Sequence, residues 1–236
     1  MSLLNISNIS TGYGNKQVLF DVSLDVEKGD SVLLIGSNGS GKSTLLKIVY
    51  GLLDIWNGTV EYDGVLLHST LKKTPTHKLI DMGIQYVPQK NELFDDATVL
   101  ENLQYSLLHL NSRKESARRI DEVVTQIPIL KERRKQIAGR LSGGERKALS
   151  LGMVLVNRPK LLLYDEPLAG LSEDNIPNML DMLSKIRDAG TTMVVVEHHV
   201  REMMTFASNT LGIRLGHMLD ELLVNINMED IKRILL

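Results

Sequence analysis

The chain has 236 residues, 43% of them hydrophobic, enough for one large domain or a core carrying an insertion, and its lack of cysteine excludes disulfides and thiolate metal sites. A net charge of −2 with both signs interspersed leaves no electrostatic footprint for nucleic acid, and the densest basic cluster, Lys131 to Lys135, reads as a solvated helix end. The N-terminus lacks the basic segment and apolar core of a secretion signal, and the longest apolar runs are strand-sized, so any membrane role is expected to run through a partner.

Residues 1–35 carry short alternating segments. In VLFDVSLDV, Val18, Phe20, Val22, Leu24 and Val26 alternate with smaller or polar residues, the pattern of half-buried strands. The stretch SVLLIGSNGSGKSTLLKIV then places G-x-x-x-x-G-K-S, Gly36 to Ser43, between a buried strand and a helix. Gly36, Gly39 and Gly41 let the backbone curl so that N–H groups point at phosphate oxygens, and the helix adds its positive end. The candidate nucleotide-binding run is therefore Gly36, Ser37, Asn38, Gly39, Ser40, Gly41, Lys42, Ser43 and Thr44. Lys42 would reach the β- and γ-phosphates, and the Ser43 hydroxyl would ligate Mg²⁺. This loop alone does not choose between kinase, GTPase and ATPase.

Residues 92–156 read as helices. Thr98 with Glu101 and Ser112 with Glu115 give capping-box spacing, the second ahead of Ala117, Ile120, Val124 and Ile127, with Pro128 stopping the run. LSGGERKALSLG then presents another anion-binding terminus. Ser142 and Glu145 form a capping box by themselves, but Gly143 and Gly144 weaken a helix start and are useful mainly where a ligand must approach the backbone. One γ-phosphate is already wrapped by residues 36–43. Ser142, Gly143 and Gly144 are therefore expected to serve a nucleotide bound to another copy, in a head-to-tail, two-fold dimer with ATP between subunits.

From residue 160 a buried strand, a helix over Ile176, Met179, Leu180, Leu183 and Ile186 closed by Gly190, and a second buried strand TTMVVVE predict parallel strands covered on both faces. KLLLYDEP delivers Asp165 to hold Mg²⁺ and Glu166 to orient an attacking water at the carboxyl edge of the sheet. Asp-Glu-Pro alone is ordinary loop chemistry; the glycine-rich loop gives it a task. Glu197, His198 and His199 end the next strand, and one histidine, His198, is expected to meet the γ-phosphate or the base, with His199 at the surface. NMEDIKRILL reads as a short terminal helix.

In order and spacing, GSNGSGKST, the glutamine of YVPQK, LSGGE, LLLYDEP and EHH resemble the ATP-binding subunit of an ATP-binding-cassette transporter over nearly the whole chain. The resemblance implies an α/β fold: a RecA-like P-loop NTPase core with a mainly parallel sheet (residues 1–89 and 157–236), an antiparallel N-terminal β-subdomain, and an inserted α-helical subdomain (90–156). It implies that Tyr13 stacks on adenine, that Gln89 senses Mg²⁺ and water, that Glu166, His198 and Gln89 form the catalytic set, and that Ser43, Gln89 and Asp165 form the metal set. Residues 167–172 match the loop that passes between subunits, with Ser172 where many members have Asp.

Within the family, PTHKLIDMGIQYVPQ, LFDDATVLENL and GTTMVVVEHHV are most similar to ATPases of branched-chain amino acid importers and, slightly less, of lipopolysaccharide export. The implied role is ATP hydrolysis that energises import of amino acids or related small polar solutes. The implied partners are an identical or paralogous cassette and transmembrane permease subunits gripped near residues 89–103, with the chain peripheral on the cytoplasmic face of the cell membrane. The alternative is a soluble cassette ATPase, such as one serving iron–sulfur cluster assembly. A metabolic kinase leaves LSGGE unexplained. His199 and the C-terminal tail depart from the family pattern.

Overall fold

The computed structural model describes residues 2–90 and 92–219, so the helix expected over NMEDIKRILL lies outside the described residues. Two strands, β1 (Ser2–Tyr13) and β2 (Lys16–Glu27), form an antiparallel hairpin across a two-residue turn whose first residue, Gly14, sits at φ 57°. The expected alternation from Val18 to Val26 is kept at Val22, Leu24 and Val26 but fails at its start, where Leu19 is fully buried and Val18 and Phe20 only partly. Asp21 explains the shift: at φ 53° it is an extra residue between the pairs Ile9–Val22 and Thr11–Leu19, and a one-residue bulge exchanges the two faces of a strand. Asn8, at φ 52°, inserts the compensating residue in β1 between Ile6–Leu24 and Ile9–Val22.

After β3 (Ser31–Ile35) and α1 (Lys42–Val49), the chain adds β4 (Asn57–Tyr62), β5 (Val65–Ser69) and β6 (Lys72–Lys73) to the hairpin, completing an antiparallel sheet in the order β2-β1-β4-β5-β6. Next come α2 (Thr76–Asp81) and β7 (Ile84–Val87). The helical stretch follows as α3 (Val99–Tyr105), α4 (Arg113–Gln126), α5 (Pro128–Glu132) and α6 (Gly143–Leu155). The chain returns through β8 (Leu161–Asp165), α7 (Ile176–Asp188), β9 (Thr192–Val196), α8 (Val200–Met204), β10 (Asn209–Arg214) and β11 (His217–Met218). The second sheet has the order β11-β10-β3-β9-β8-β7; all its pairings are parallel except β10 with β11.

Strand parity decides what this second sheet carries on each face. Val32 and Leu34, Leu161 and Leu163, and Val194 and Val196 pack with Leu45, Leu46, Ile48 and Val49 of α1 and with Ile6 and Val60 of the antiparallel sheet. Leu33, Leu162, Tyr164, Met193 and Val195 face the other way, against Val99, Leu103, Leu149, Met179 and Leu183 of the helices. The sheet is thus covered on both sides, as the apolar runs predicted, and α1 lies between the two sheets.

Thr98 caps α3 with a reciprocal box to Glu101, as the spacing predicted. Asn102, fully buried, staples the segment ahead of it: its amide donates to the Phe94 and Thr98 carbonyls at 3.1 and 2.9 Å, and its oxygen accepts from the Phe94 N–H at 2.9 Å. Ser112 caps α4 through the Glu115 N–H at 3.2 Å, but the Glu115 carboxylate turns instead to Arg118 and Arg119. The buried face of α4 is Ile120, Val123 and Val124, with Ile127 at its C-cap, while Ala117 is exposed; its methyl is too small to fix the helix phase against these larger residues. Among the described residues no helix is long and apolar enough to cross a membrane.

Candidate active site

The glycine-rich loop leaves β3 and enters α1 through Gly41, at φ 110°, where an added Cβ would strike the Leu19 side chain. Lys42 lies back across the loop, its Nζ donating to the carbonyls of Gly36 at 2.8 Å and Ser37 at 3.0 Å. Burial lowers the pKa of this lysine, and the negative charges of Glu166, Asp165 and Glu197 oppose that shift. The Ser40 hydroxyl is buried and has no hydrogen-bond partner among the described residues. Asn38 and Gly39 are exposed at the loop tip. Tyr13 is half exposed, its hydroxyl 3.4 Å from that of buried Thr44, with the Lys47 ammonium 6.0 Å from its ring centre.

Parity also delivers the carboxylate beside Ser43. Asp165 follows Leu161 and Leu163 on the face that packs against α1, and there it accepts the Ser43 hydroxyl at 2.8 Å on Oδ1 and the Tyr86 hydroxyl at 3.3 Å on Oδ2. Burial raises the Asp165 pKa, against the lowering by these two hydrogen bonds. Ser43 and Asp165 are hard oxygen donors held together. Among the described residues no group of three His, Asp or Glu forms a fuller cage. That donor set fits Mg²⁺, which keeps several waters and binds through one or two protein oxygens plus substrate phosphates.

Glu166 turns the chain at the end of β8 with φ 52°, a left-handed conformation uncommon for a residue with a side chain, and its N–H donates to the Val196 carbonyl at 2.8 Å. Its carboxylate is held from two sides: Gln89 Nε2 donates to Oε2 at 2.5 Å, and His198 Nε2 lies 3.0 Å from Oε1. With the carboxylate ionised, His198 carries its proton on Nε2 and donates it. Glu166 and His198 line a cavity of about 530 Å³ together with Tyr13, Asn38, Gly39, Gly41, Lys42, Ser43 and Thr44. The arrangement places a carboxylate base beside a phosphate cradle, with an amide and an imidazole fixing its direction.

Ser142, Gly143 and Gly144 are placed elsewhere. Ser142 caps α6 in a reciprocal box, its N–H donating to Glu145 Oε2 at 2.8 Å and its Oγ accepting the Glu145 N–H at 3.4 Å. The Glu145 carboxylate is held below its ordinary pKa by the Ser142 N–H and, further, by Arg133. Ser142 and Gly144 line a separate cavity of about 400 Å³ with Leu171, Asn175 and Met179, and the exposed Gly143 also lies outside the glycine-loop cavity of its own chain. Ser172 accepts the Asn175 amide at 2.8 Å, and His199 is exposed.

Four participants escaped the sequence reading. Tyr86 touches Asp165, and Leu215, 76% exposed at φ 49°, lines the glycine-loop cavity beside Gly216, whose N–H donates to the Ser40 carbonyl at 3.0 Å. Glu197, fully buried, accepts the N–H groups of Leu168 and His198 at 2.7 Å and of His199 at 3.3 Å, tying the loop after β8 to the loop after β9. Lys147, also buried, reaches from α6 to the Glu166 carbonyl at 2.8 Å. For Glu197 a signal existed, a charge that ends a fully buried strand; Lys147, third in the charged run Glu145-Arg146-Lys147, and Leu215 gave none.

The sequence matches the ABC transporter family over residues 19–169. It is 35% identical to the high-affinity branched-chain amino acid transport ATP-binding protein BraG of Pseudomonas aeruginosa, across 91% of this chain and 90% of that protein. It is 31% identical to the lipopolysaccharide export system ATP-binding protein LptB of Haemophilus influenzae, across 92% of this chain and 88% of that protein. The fold superposes on the ADP conformation of MJ1267, an ATP-binding cassette of an ABC transporter, with a TM-score of 0.83 and 27% identity, covering 100% of this chain and 95% of that one. With the glycine-rich loop, Ser43 and the braced Glu166 lining one cavity and Asp165 hydrogen-bonded behind Ser43, the chain belongs to the ABC transporter family as an ATP-binding and ATP-hydrolysing cassette.

Proposed function

We propose that two such cassettes close head to tail around two ATP molecules and that hydrolysis reopens them, driving a transmembrane permease from the cytoplasmic face of the membrane. In this reading, residues 36–44 and Lys42 bind the phosphates, Tyr13 stacks on adenine, and Ser142, Gly143 and Gly144 of one subunit approach the γ-phosphate held by the other. Glu166 accepts a hydrogen bond from the attacking water and aims it in line, while Gln89 and His198 hold the carboxylate direction. Ser43, Asp165 and Gln89 would hold Mg²⁺, which when bound neutralises charge on the β- and γ-phosphate oxygens. Residues 1–89 and 157–236 serve as the nucleotide-binding core, and 90–156 as the subdomain that carries LSGGE.

The supporting observation is the division of labour within one chain: Glu166 and the phosphate loop share a cavity that Ser142, Gly143 and Gly144 do not line. The test is Glu166→Gln with ATP and Mg²⁺. Turnover is expected to fall to background while the variant elutes as a dimer on sizing; a variant that stays monomeric with ATP bound overturns the sandwich.

For the transported molecule we propose a branched-chain amino acid or a related small polar solute. The likeness to BraG, and to the probable branched-chain amino acid transport ATP-binding protein LivF of Archaeoglobus fulgidus at 35% identity, supports this. The likeness to LptB and to the lipoprotein-releasing LolD of Bordetella pertussis, 37% identical over 77% of this chain, supports a reading in which the ATP site is common to all and the permease carries the specificity. Leucine uptake into vesicles holding the cassette with its permease tests it; ATP-dependent transport that ignores branched-chain amino acids overturns it.

A further inference from the structure

The phosphate loop, Asp165, Glu166, Gln89 and His198 account for binding and hydrolysis at one nucleotide, and Ser142 to Gly144 for a contact to another. The two groups lie on different elements of the same chain, and one buried side chain joins them. Lys147 follows Ser142 by five residues on α6, is 5% exposed, and donates from Nζ to the main-chain carbonyl of Glu166 at 2.8 Å.

That carbonyl belongs to a peptide in an unusual setting. Glu166 is left-handed, with its N–H anchored to Val196 at 2.8 Å, so Lys147 holds the exit side of a residue whose entry side is pinned to the sheet. Glu197 completes the frame. It continues the face of β9 that carries Met193 and Val195, the face covered by helices, and its buried carboxylate gathers the N–H groups of Leu168, His198 and His199. Burial lowers the Lys147 pKa, and the charges of Glu197, Glu166 and Asp165, in that order, oppose it. A long aliphatic cation carried into the interior to meet one carbonyl among three carboxylates serves the alignment of that carbonyl better than it serves packing.

We propose that Lys147 is a positioning residue that couples the two nucleotide sites of the dimer, transmitting the seating of α6 on the partner's ATP to the Glu166 that acts on its own. This rests on the sandwich reading above. Ser142 caps α6 through Glu145 and Lys147 lies in the second turn of the same helix, so one run of helical hydrogen bonds carries both. A shift of α6 by about 1 Å is enough to make or break a hydrogen bond of ordinary length. With α6 seated, the Glu166 peptide is clamped and its carboxylate aimed; with α6 displaced, the clamp opens and the base loses its direction. Hydrolysis at each site then waits for nucleotide at both.

The experiment compares the wild-type chain with Lys147→Met and Lys147→Gln, using ATP and Mg²⁺. Lys147→Met keeps an unbranched stem without a donor, and Lys147→Gln restores a neutral donor. In Lys147→Met we expect fluorescent-ATP affinity and KM within about threefold of wild type, kcat lower by tenfold or more, and a Hill coefficient for ATP that falls from near 2 to near 1. Lys147→Gln recovers part of both, and where Lys147→Met does not fold, Lys147→Leu, which also lacks a donor, is read in its place. A folded Lys147→Met with wild-type kcat and Hill coefficient overturns the proposal, as does a wild-type Hill coefficient near 1. Losses that track ATP affinity or thermal stability also overturn it, because they mark a structural role only. Sizing of Glu166→Gln separates the two levels: absence of its ATP-bound dimer removes the sandwich itself, whereas a dimer with no Lys147 effect removes only the coupling.

Discussion

Ser142 and Glu145 share one capping box, yet they are expected to fail in opposite ways. The hydroxyl half of the box is long, 3.4 Å from Ser142 Oγ to the Glu145 N–H, while the carboxylate half is 2.8 Å, and Glu145 also pairs with Arg133 at 2.8 Å. Removing an N-cap hydroxyl costs about 0.5–2 kcal/mol, and a bond near the outer distance limit puts Ser142→Ala at about 0.5 kcal/mol. Glu145→Ala strips an exposed N–H of its acceptor and a half-exposed arginine of its partner, about 1–2 kcal/mol together. For a chain of this size 1 kcal/mol moves the melting temperature by about 2–4 °C, so Ser142→Ala should lose about 1–2 °C and Glu145→Ala about 2–8 °C. Activity should run the other way. A hydroxyl surrendered to the partner's γ-phosphate at the transition state is worth about tenfold to a thousandfold in kcat, by analogy with a single oxyanion donor. Glu145→Ala, assayed below its melting temperature, should lose only a few-fold. Calorimetry and steady-state ATPase on the same preparations decide it. If the two variants rank alike in stability and in turnover, the hydroxyl is a cap and nothing more, and the γ-phosphate contact is refuted.

Asn102→Ala should destabilise the chain by about 1–3 kcal/mol in urea, because it orphans the Phe94 N–H and C=O that the buried amide satisfies; a change under about 0.5 kcal/mol would mean that water replaces the staple. Glu115 supplies a pH test. Hydrogen bonds from Arg118 and Arg119 hold its pKa at about 2, below the ordinary 4.5, so its contribution is present above about pH 4.5 and fades as pH falls toward 2. The melting-temperature gap between wild type and Glu115→Gln should therefore shrink from pH 6 to pH 2.5, and a gap that stays constant would show that the ion pairs to Arg118, Arg119 and Arg158 contribute no charge-dependent stability.

What was legible beforehand was whatever is local. The glycine-rich loop is a strand, a turn of glycines and a helix start in one contiguous run, and Asp165 and Glu166 sit at the end of one apolar strand, so residue type and spacing were enough to expect the two runs side by side, as the Ser43–Asp165 contact has them. The misses have physical causes that spacing does not carry. Asn8 and Asp21 are ordinary polar residues of alternating strands, and only the paired register shows each to be an inserted residue at positive φ that exchanges the faces. Ala117 had the right period but too little surface to hold it.

The partners of Lys147 and Glu197 were illegible for a deeper reason, and it bears on how the site works. Lys147 meets a residue 19 positions away and Glu197 one 29 positions away, across elements that adjoin only once β8, β9 and α6 have packed. Parity then becomes informative: the odd positions of β8 bring Asp165 to α1 and the Ser43 hydroxyl, whereas the odd positions of β9 bring Glu197 to the opposite, helical face. The sheet therefore separates two kinds of carboxylate. One side faces α1 and the glycine-rich loop, where Asp165 meets Ser43. The other side faces the helices and gathers the N–H groups around which Glu166 and His198 are arranged. A replacement on the helical face, such as Glu197→Gln, leaves every phosphate-loop residue in place while loosening the two loops that carry the base and the histidine. Its effect belongs in kcat rather than in nucleotide affinity, as with Lys147.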